Sequence, residues 1–385
     1  MKLAGVKVVD LSMFLPGPHF SMMMADHGAE VIKVEPFSGE PVREVGLRKA
    51  GYSVWFRNTH RGKKSLRLNL KDPRGKELLL KLLEDADVMV EGFRPGVMAR
   101  LGLDYDAVRE RAPQIIYCSL SSFGQTGRYR LKAAHDMVMQ AMAGTLDFNR
   151  GRDGLPANPS MPVADMTGSM MAFSGVLMAL LRQRETGEGD FIDIAMHDCL
   201  QAWTANSTGP TFAEHRAHDV KQERNWGGAA FYNIYPTADD DWLVLGGVEH
   251  NFCHAFLEKA GRLDLYELCL QPPGTAQIPV KEFLTTFIAE RTLAELLEWL
   301  DDINVCYAPL RTLLDGTYDE NTRERGMLLI EDGEIEHLGI PIKYTNEPGK
   351  VGFKLPEIGE HSREIAIRLG YSDTEIKELF DDKVI

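Results

Sequence analysis

The sequence predicts an α/β fold: a parallel or mostly parallel sheet with helices on its faces. Three observations predict it. Short apolar runs alternate with helical patterns over the first two hundred or so residues, the arrangement that feeds parallel strands through helical crossovers. The alternation opens with a βαβ unit. The chain has 385 residues, 44% hydrophobic and 26% charged, which suits a soluble globular protein of about two domains with a substantial core.

In order, the stretch from Val6 to Asp10 reads as a buried strand and the LPGP segment turns the chain. A helix is expected from Pro18 to His27 with Gly28 behind it, then a strand from Glu30 to Val34. The turn lacks the G-x-G-x-x-G fingerprint, so Glu35 carries little support for a nicotinamide site. A basic stretch, Arg61, Lys63 and Lys64, leads into the alternating run SLRLNLK from Ser65 to Lys71. DPRG then opens an amphipathic helix with Leu78, Leu79, Leu82 and Leu83 on one face. The strand DVMVEG delivers FRPGVMARLG, placing Phe93, Arg94 and Arg100 around a Pro-Gly turn. Two basic clusters at the ends of strands in an acidic α/β domain point to a nucleotide-phosphate site, because such sheets bind ligands at strand ends and Arg suits phosphate.

Further on, QIIYCSLSSFG is a strand, GQTGRYRLKAAHD a polar loop and MVMQAMAG a helix, with His135 and Asp136 at its entrance. FNRGRDGLPANPS is a loop, and FIDIAMHD a strand entering a helix. Residues 202–225 are polar, rich in His and without periodicity, and read as a linker. A second module follows: a hairpin from Tyr232 to Val248, a helix from His250 to Ala260, and helical repeats of which KEFLTTFIAERTLAELLEWLDD is the clearest. From about Met327 the chain is strand- and loop-like, ending in SREIAIRLG and DTEIKELFDD.

Composition excludes several classes. A formal charge of −14 with no dominant Lys/Arg cluster argues against nucleic acid as a partner. Five scattered cysteines without a CxxC pair indicate neither a disulfide framework nor a zinc ribbon, and suit a reducing, cytoplasmic setting. The start, MKLAGVKVVDL, reads directly as a strand, and the longest apolar run, Met170 to Leu181, is too short to span a membrane. No HExxH and no Gly-x-Ser-x-Gly elbow occur, and His250, Cys253 and His254 do not make a metal set.

The segment MPVADMTGSMMAFSGVLMALL, Met161 to Leu181, organises the rest. It sets Asp165 at the mouth of an apolar helix, with Asp165 and Thr167 as N-cap candidates, and free amides at that end favour an anion. A lone Asp before an apolar run ordinarily caps it and does nothing more. The company of the two basic clusters is what raises a functional role.

The segments VVDLSMFLPGPHFSMMMADHGAEVIKVE, HRGKKSLRLNLKDPRGKELLLKLLEDADVMVEGFRPGVMARLGL, IIYCSLSSFGQTG and VADMTGSMMAFSGVLMALLRQRETGEGDFIDIAMHD, with the tail LPEIGEHSREIAIRLGY, resemble the class III CoA-transferase and α-methylacyl-CoA racemase family nearly end to end. The resemblance implies a Rossmann-like large domain built from both termini (1–201 and 327–385), a smaller inserted α+β domain (226–326), and an intertwined homodimer. It implies a CoA thioester as substrate, with no permanently bound cofactor. Pro16, Leu68, Asn69, Lys71, Gly92, Phe93, Arg94 and Arg100 match its CoA-contacting segments, and Arg61 joins them in the first basic cluster. Asp165 matches the shared catalytic aspartate, a nucleophile in the transferases and one of two bases in the racemases. The racemase branch is favoured because His135 stands where racemases carry a second base and Glu249 where they carry an acid that would orient that base. In this reading the amides of Asp165 and Met166 stabilise an enolate oxygen. Ala134 before His135, His250 after Glu249 and the MVMQAMAG helix depart from the racemase pattern. The alternatives are a CoA transferase and a non-catalytic acyl-CoA-binding role.

Overall fold

The apolar runs expected as strands before residue 202 join one sheet in the computed structural model, which describes residues 1–151 and 153–385; Arg152 of the FNRGRDG loop lies outside the described residues. The strands are β1 (Lys7–Asp10), β2 (Glu30–Glu35), β3 (Lys64–Arg67), β4 (Val88–Glu91), β5 (Ile116–Ser121) and β6 (Asp190–Ala195). Their spatial order is β3-β2-β1-β4-β5-β6, and every neighbouring pair is parallel. The order reverses at β1 and β4, so the loops leaving those two strands diverge and open a crevice at their carboxyl ends.

Successive residues of a strand face opposite ways, and the sheet sorts its apolar residues accordingly. Val9, Leu66 and Met89 pack on one face with helix α2 (Pro73–Glu84) and with the helices Ser362–Arg368 and Asp373–Asp381. Val8, Val88 and Ile116 pack on the other, with Phe20 and Met24 of α1 (Pro16–Asp26) and with Ala172 and Val176 of Val163–Thr186. The run SLRLNLK is a strand only as far as Arg67. Leu68 still donates to Glu35 O at 2.8 Å, and then the Asn69 side chain accepts from Lys71 N and turns the chain into the Asp72 cap of α2. That early ending moves Asn69 and Lys71 off the sheet and over its carboxyl edge.

The helix Val163–Thr186, which contains the Met170 to Leu181 run, is long and apolar enough to cross a membrane by length and composition alone, a test that a buried core helix also passes. Its Thr167, Gly168 and Ser169 are small enough to leave mean hydropathy high while packing closely: a Cβ on Gly168 would lie 2.6 Å from Met196 Cγ.

The chain divides into two compact units. The first comprises Met1–Thr145, Pro159–Thr204 and Asp319–Ile385; the second comprises Leu146–Asn158 and Ala205–Tyr318. The second unit is a three-stranded antiparallel sheet, Tyr232–Pro236, Trp242–Gly246 and Tyr307–Pro309, the hairpin at its centre closing as its alternation suggests. Phe231, Leu243, Phe256, Leu284 and Leu296 form its core. The long helical pattern there is two helices, Ile278–Ala289 and Leu293–Leu300, because Thr292 and Glu295 form a reciprocal capping box that starts the second.

Candidate active site at the strand-order reversal

The loop after β1 is held from below by buried charge. Asp10, fully buried at the end of β1, accepts from the amide and hydroxyl of Ser12, from Ser21 Oγ at 2.6 Å and from Lys63 Nζ at 3.1 Å. Burial pushes the Asp10 carboxyl up, but Lys33, Lys63 and the two serines outweigh it and hold it well below the usual carboxylate range. Lys33 pairs with Glu40 at 3.1 Å and donates to Ser12 O, and Glu40 in turn accepts from Phe14 N at 2.8 Å. Phe14 is thereby fixed at φ +67°, a conformation sparsely used by residues with a side chain. Gly17 cannot be replaced without moving this loop, since a Cβ there would lie 2.1 Å from Ser12 Oγ.

Above the loop lies a cavity of about 550 Å³. Met13, Phe14 and Pro16 line it from the β1 side, Gly92, Phe93 and Arg94 from the β4 side, and His135 and Asp165 from the helices beyond β5. His135 and Asp165 thus open into one space. His135 is the N-cap residue of Asp136–Ala143, its carbonyl accepting from Val138 and Met139 and its side chain capping nothing. Asp165 lies in the first turn of Val163–Thr186, which starts at Val163 after Pro162; neither Asp165 nor Thr167 is the N-cap.

Asp136 does that job instead. Its Oδ1 accepts from Ala164 N at 2.6 Å and from Asp165 N at 3.2 Å, and its Oδ2 accepts from Gln140 at 2.6 Å. Burial, and then the neighbouring charge of Asp136, push the Asp165 carboxyl up to about 7. The expected oxyanion donors are a correction: the Asp165 amide is spent on Asp136, and Met166 N donates to Pro162 O at 3.0 Å.

A second cavity of about 720 Å³ shares Met13 and Phe93 with the first. Leu68, Asn69 and Lys71 line it, with Leu11, Val34, Phe37 and Leu101 giving it apolar walls. The residues singled out in the sequence therefore divide: Pro16, Gly92 and Arg94 at the first cavity, Leu68, Asn69 and Lys71 at the second, Phe93 at both. Arg61 is at neither. Its guanidinium is buried, paired to Asp26 at 2.7 Å and donating to Leu338 O, and Lys63 and Lys64 are likewise committed to carboxylates. Charges buried under a sheet edge need counter-ions, and the first basic cluster supplies them. Arg100 is exposed beside Gly96 and lines neither cavity. Glu249, in the second unit, is the exposed N-cap residue of His250–Lys259, and its side chain caps nothing.

Sequence reasoning noticed Asp136 but gave it no role, and missed the Asp10–Lys33–Glu40 network altogether. A signal was present: β1, β2 and β4 each end an apolar run on an acid, Asp10, Glu35 and Glu91, and all three are buried. Among the described residues, no group of three or more His, Cys, Asp or Glu could hold a metal ion.

Residues 3–362 match the model of the family described as CoA-transferase family III. Alpha-methylacyl-CoA racemase of Homo sapiens is 34% identical over 394 residues, covering 100% of this chain and 98% of that protein. Succinyl-CoA–D-citramalate CoA-transferase of Chloroflexus aurantiacus is 30% identical over 400 residues, covering 100% of this chain and 98% of its own. The crystal structure of a CAIB/BAIF family protein from Brucella suis matches with a TM-score of 0.83 at 28% identity, over 95% of this chain and 99% of that one. With a family match across almost its whole length and a central parallel sheet shared with a solved relative, this chain belongs to CoA-transferase family III and is an enzyme of that family.

Proposed function

We propose that the enzyme interconverts the two configurations at the α-carbon of a 2-methylacyl-CoA-type thioester. The observation that carries this reading is that His135 and Asp165 line one cavity at the strand-order reversal, with Asp165 titrating at about 7. Inverting a carbon by proton transfer needs one base to take the α-proton while the acid on the opposite face gives one back, and the roles swap with direction. A carboxyl pushed up to about 7 serves in either state at neutral pH. One base breaks the C–H bond, the electron pair moves into the thioester enolate, and the other base's proton forms the new C–H bond. The proton count is unchanged. The start of the Asp165 helix does not hold the enolate oxygen, because its amides are occupied. In the same reading the second cavity takes the nucleotide end of CoA, with Lys71 beside it and Arg94 towards the diphosphate.

A CoA transferase is the second reading, and one observation favours it: Asp165 is the only carboxylate among the described residues that line the first cavity. There it would attack the thioester carbonyl and expel CoA thiolate, forming an acyl-aspartyl anhydride; the thiolate then attacks the aspartyl carbonyl and releases the first acid. The acid–base reading is preferred because His135 lines the same cavity as Asp165, which supplies the second base that inversion needs and transfer does not. Incubating one enantiomer of a 2-methylacyl-CoA with the enzyme and no added acid separates the two. Appearance of the other enantiomer, lost in Asp165→Asn and His135→Ala, is the expected result. Turnover only after a carboxylic acid is added, with covalent trapping by hydroxylamine, would overturn it.

A further inference from the structure

The helix Asp373–Asp381 ends in a turn where Val384 N donates to Leu379 O at 2.8 Å and Lys383 N to Phe380 O at 3.1 Å. This closing pattern places its left-handed residue at position 383, where glycine is the usual occupant. Here the residue is lysine, at φ +55°. The segment is not loose. Val384 and Ile385 are fully buried, Val384 O accepts from Asn69 N at 2.9 Å, and Ile385 O accepts from Arg67, whose guanidinium lies 4.5 Å from the ring centre of Phe37.

The consequence is positional. Lys383 is delivered to the wall of the second cavity, which it shares with Lys71, Asn69 and Phe37. Neither ammonium group has an ion-pair or hydrogen-bond partner among the described residues. The two acids that also line this cavity are already neutralised, Glu35 by Arg43 at 2.6 Å and Glu40 by Lys33 at 3.1 Å. What remains is an apolar slot with two unspent positive charges at its rim. That chemistry fits a flat heteroaromatic ring carrying a phosphate.

We infer that Lys383, together with Lys71, binds the phosphate on the ribose of the CoA nucleotide, making the turn after the last helix part of the ligand site. The inference rests on the reading of this cavity as the nucleotide end of a CoA site. It assigns to Lys383 the discrimination between CoA and the same molecule without that phosphate.

Calorimetric titration of the full chain with CoA and with dephospho-CoA tests it. Wild type is expected to bind CoA more tightly than dephospho-CoA, and Lys383→Gln to weaken CoA about tenfold while leaving dephospho-CoA unchanged. Lys383→Arg should keep the preference. Lys383→Gly relieves the left-handed backbone, so it should lose the same affinity while melting no lower than wild type, which separates charge from fold. If Lys383→Gln leaves the ratio of the two affinities as it was, or weakens both ligands alike, the role of Lys383 is wrong and the CoA reading stands. If wild type binds neither ligand, both are wrong.

Discussion

The amide of Asp165 donates to Oδ1 of Asp136 at 3.2 Å, so the residue that starts the Asp165 helix also sets the charge beside the Asp165 carboxyl. A side chain remote by 29 positions thereby caps the helix and raises the acid.

Asp136→Asn should move the pH dependence of the reaction towards acid. Asn keeps an oxygen for the Ala164 and Asp165 amides, provided Gln140 turns its amide to face the new NH₂ group. It removes a negative charge that favours the protonated form of Asp165, so the Asp165 pKa falls from about 7. Burial, the larger cause, is untouched, and the shift is therefore partial. For the enantiomer that Asp165 deprotonates, the rising limb of kcat/KM against pH should appear at lower pH than in wild type. A limb that stays in place would place the titrating group elsewhere.

Arg61→Ala should cost stability and not ligand affinity. The variant leaves Asp26 buried without its partner, which costs about 3–5 kcal/mol for a buried pair broken on one side. Arg94→Ala, at the cavity wall, should instead weaken CoA about tenfold with little change in melting. Chemical denaturation and calorimetric titration of both variants check the contrast; weakened CoA binding by folded Arg61→Ala would restore it to the ligand site.

Glu249→Gln tests whether that carboxylate sets the His135 ring. If it orients the base in a homodimer, kcat should fall by about 10²-fold with KM little changed, and Glu249→Asp should recover part of the loss. Steady-state kinetics, with sedimentation to establish the dimer, read this out. An unchanged kcat would leave Glu249 as a surface N-cap residue.

Much of the fold was legible because it rests on local pattern. The apolar runs around Val8, Val31, Val90 and Cys118 are too short and too β-branched for buried helices, and α2 shows its leucine face at helical spacing. The break at Thr292 was also readable from Thr292 and Glu295, but the run of leucines around it masks the capping box. At the site, residue type singled out Asp165 and His135, and both line the first cavity. Arg61 was misplaced because its partner, Asp26, is 35 positions away, and no spacing rule tells a buried counter-ion from a phosphate ligand. Asn69 and Lys71 were read as strand and lie past its end, since alternation continues after the sheet has stopped. Lys383 gave no signal beyond a charged residue before two apolar ones.

The most direct test of the central claim, that Asp165 and His135 act on opposite faces of one α-carbon, is α-deuterium incorporation from deuterated water into each enantiomer of a 2-methylacyl-CoA. Wild type should label both. Asp165→Asn and His135→Ala should each fail to interconvert the enantiomers yet still exchange the α-proton of one, and the surviving enantiomer should be opposite in the two variants. Loss of exchange from both enantiomers in either variant, or full exchange from both in His135→Ala, would contradict the two-base account.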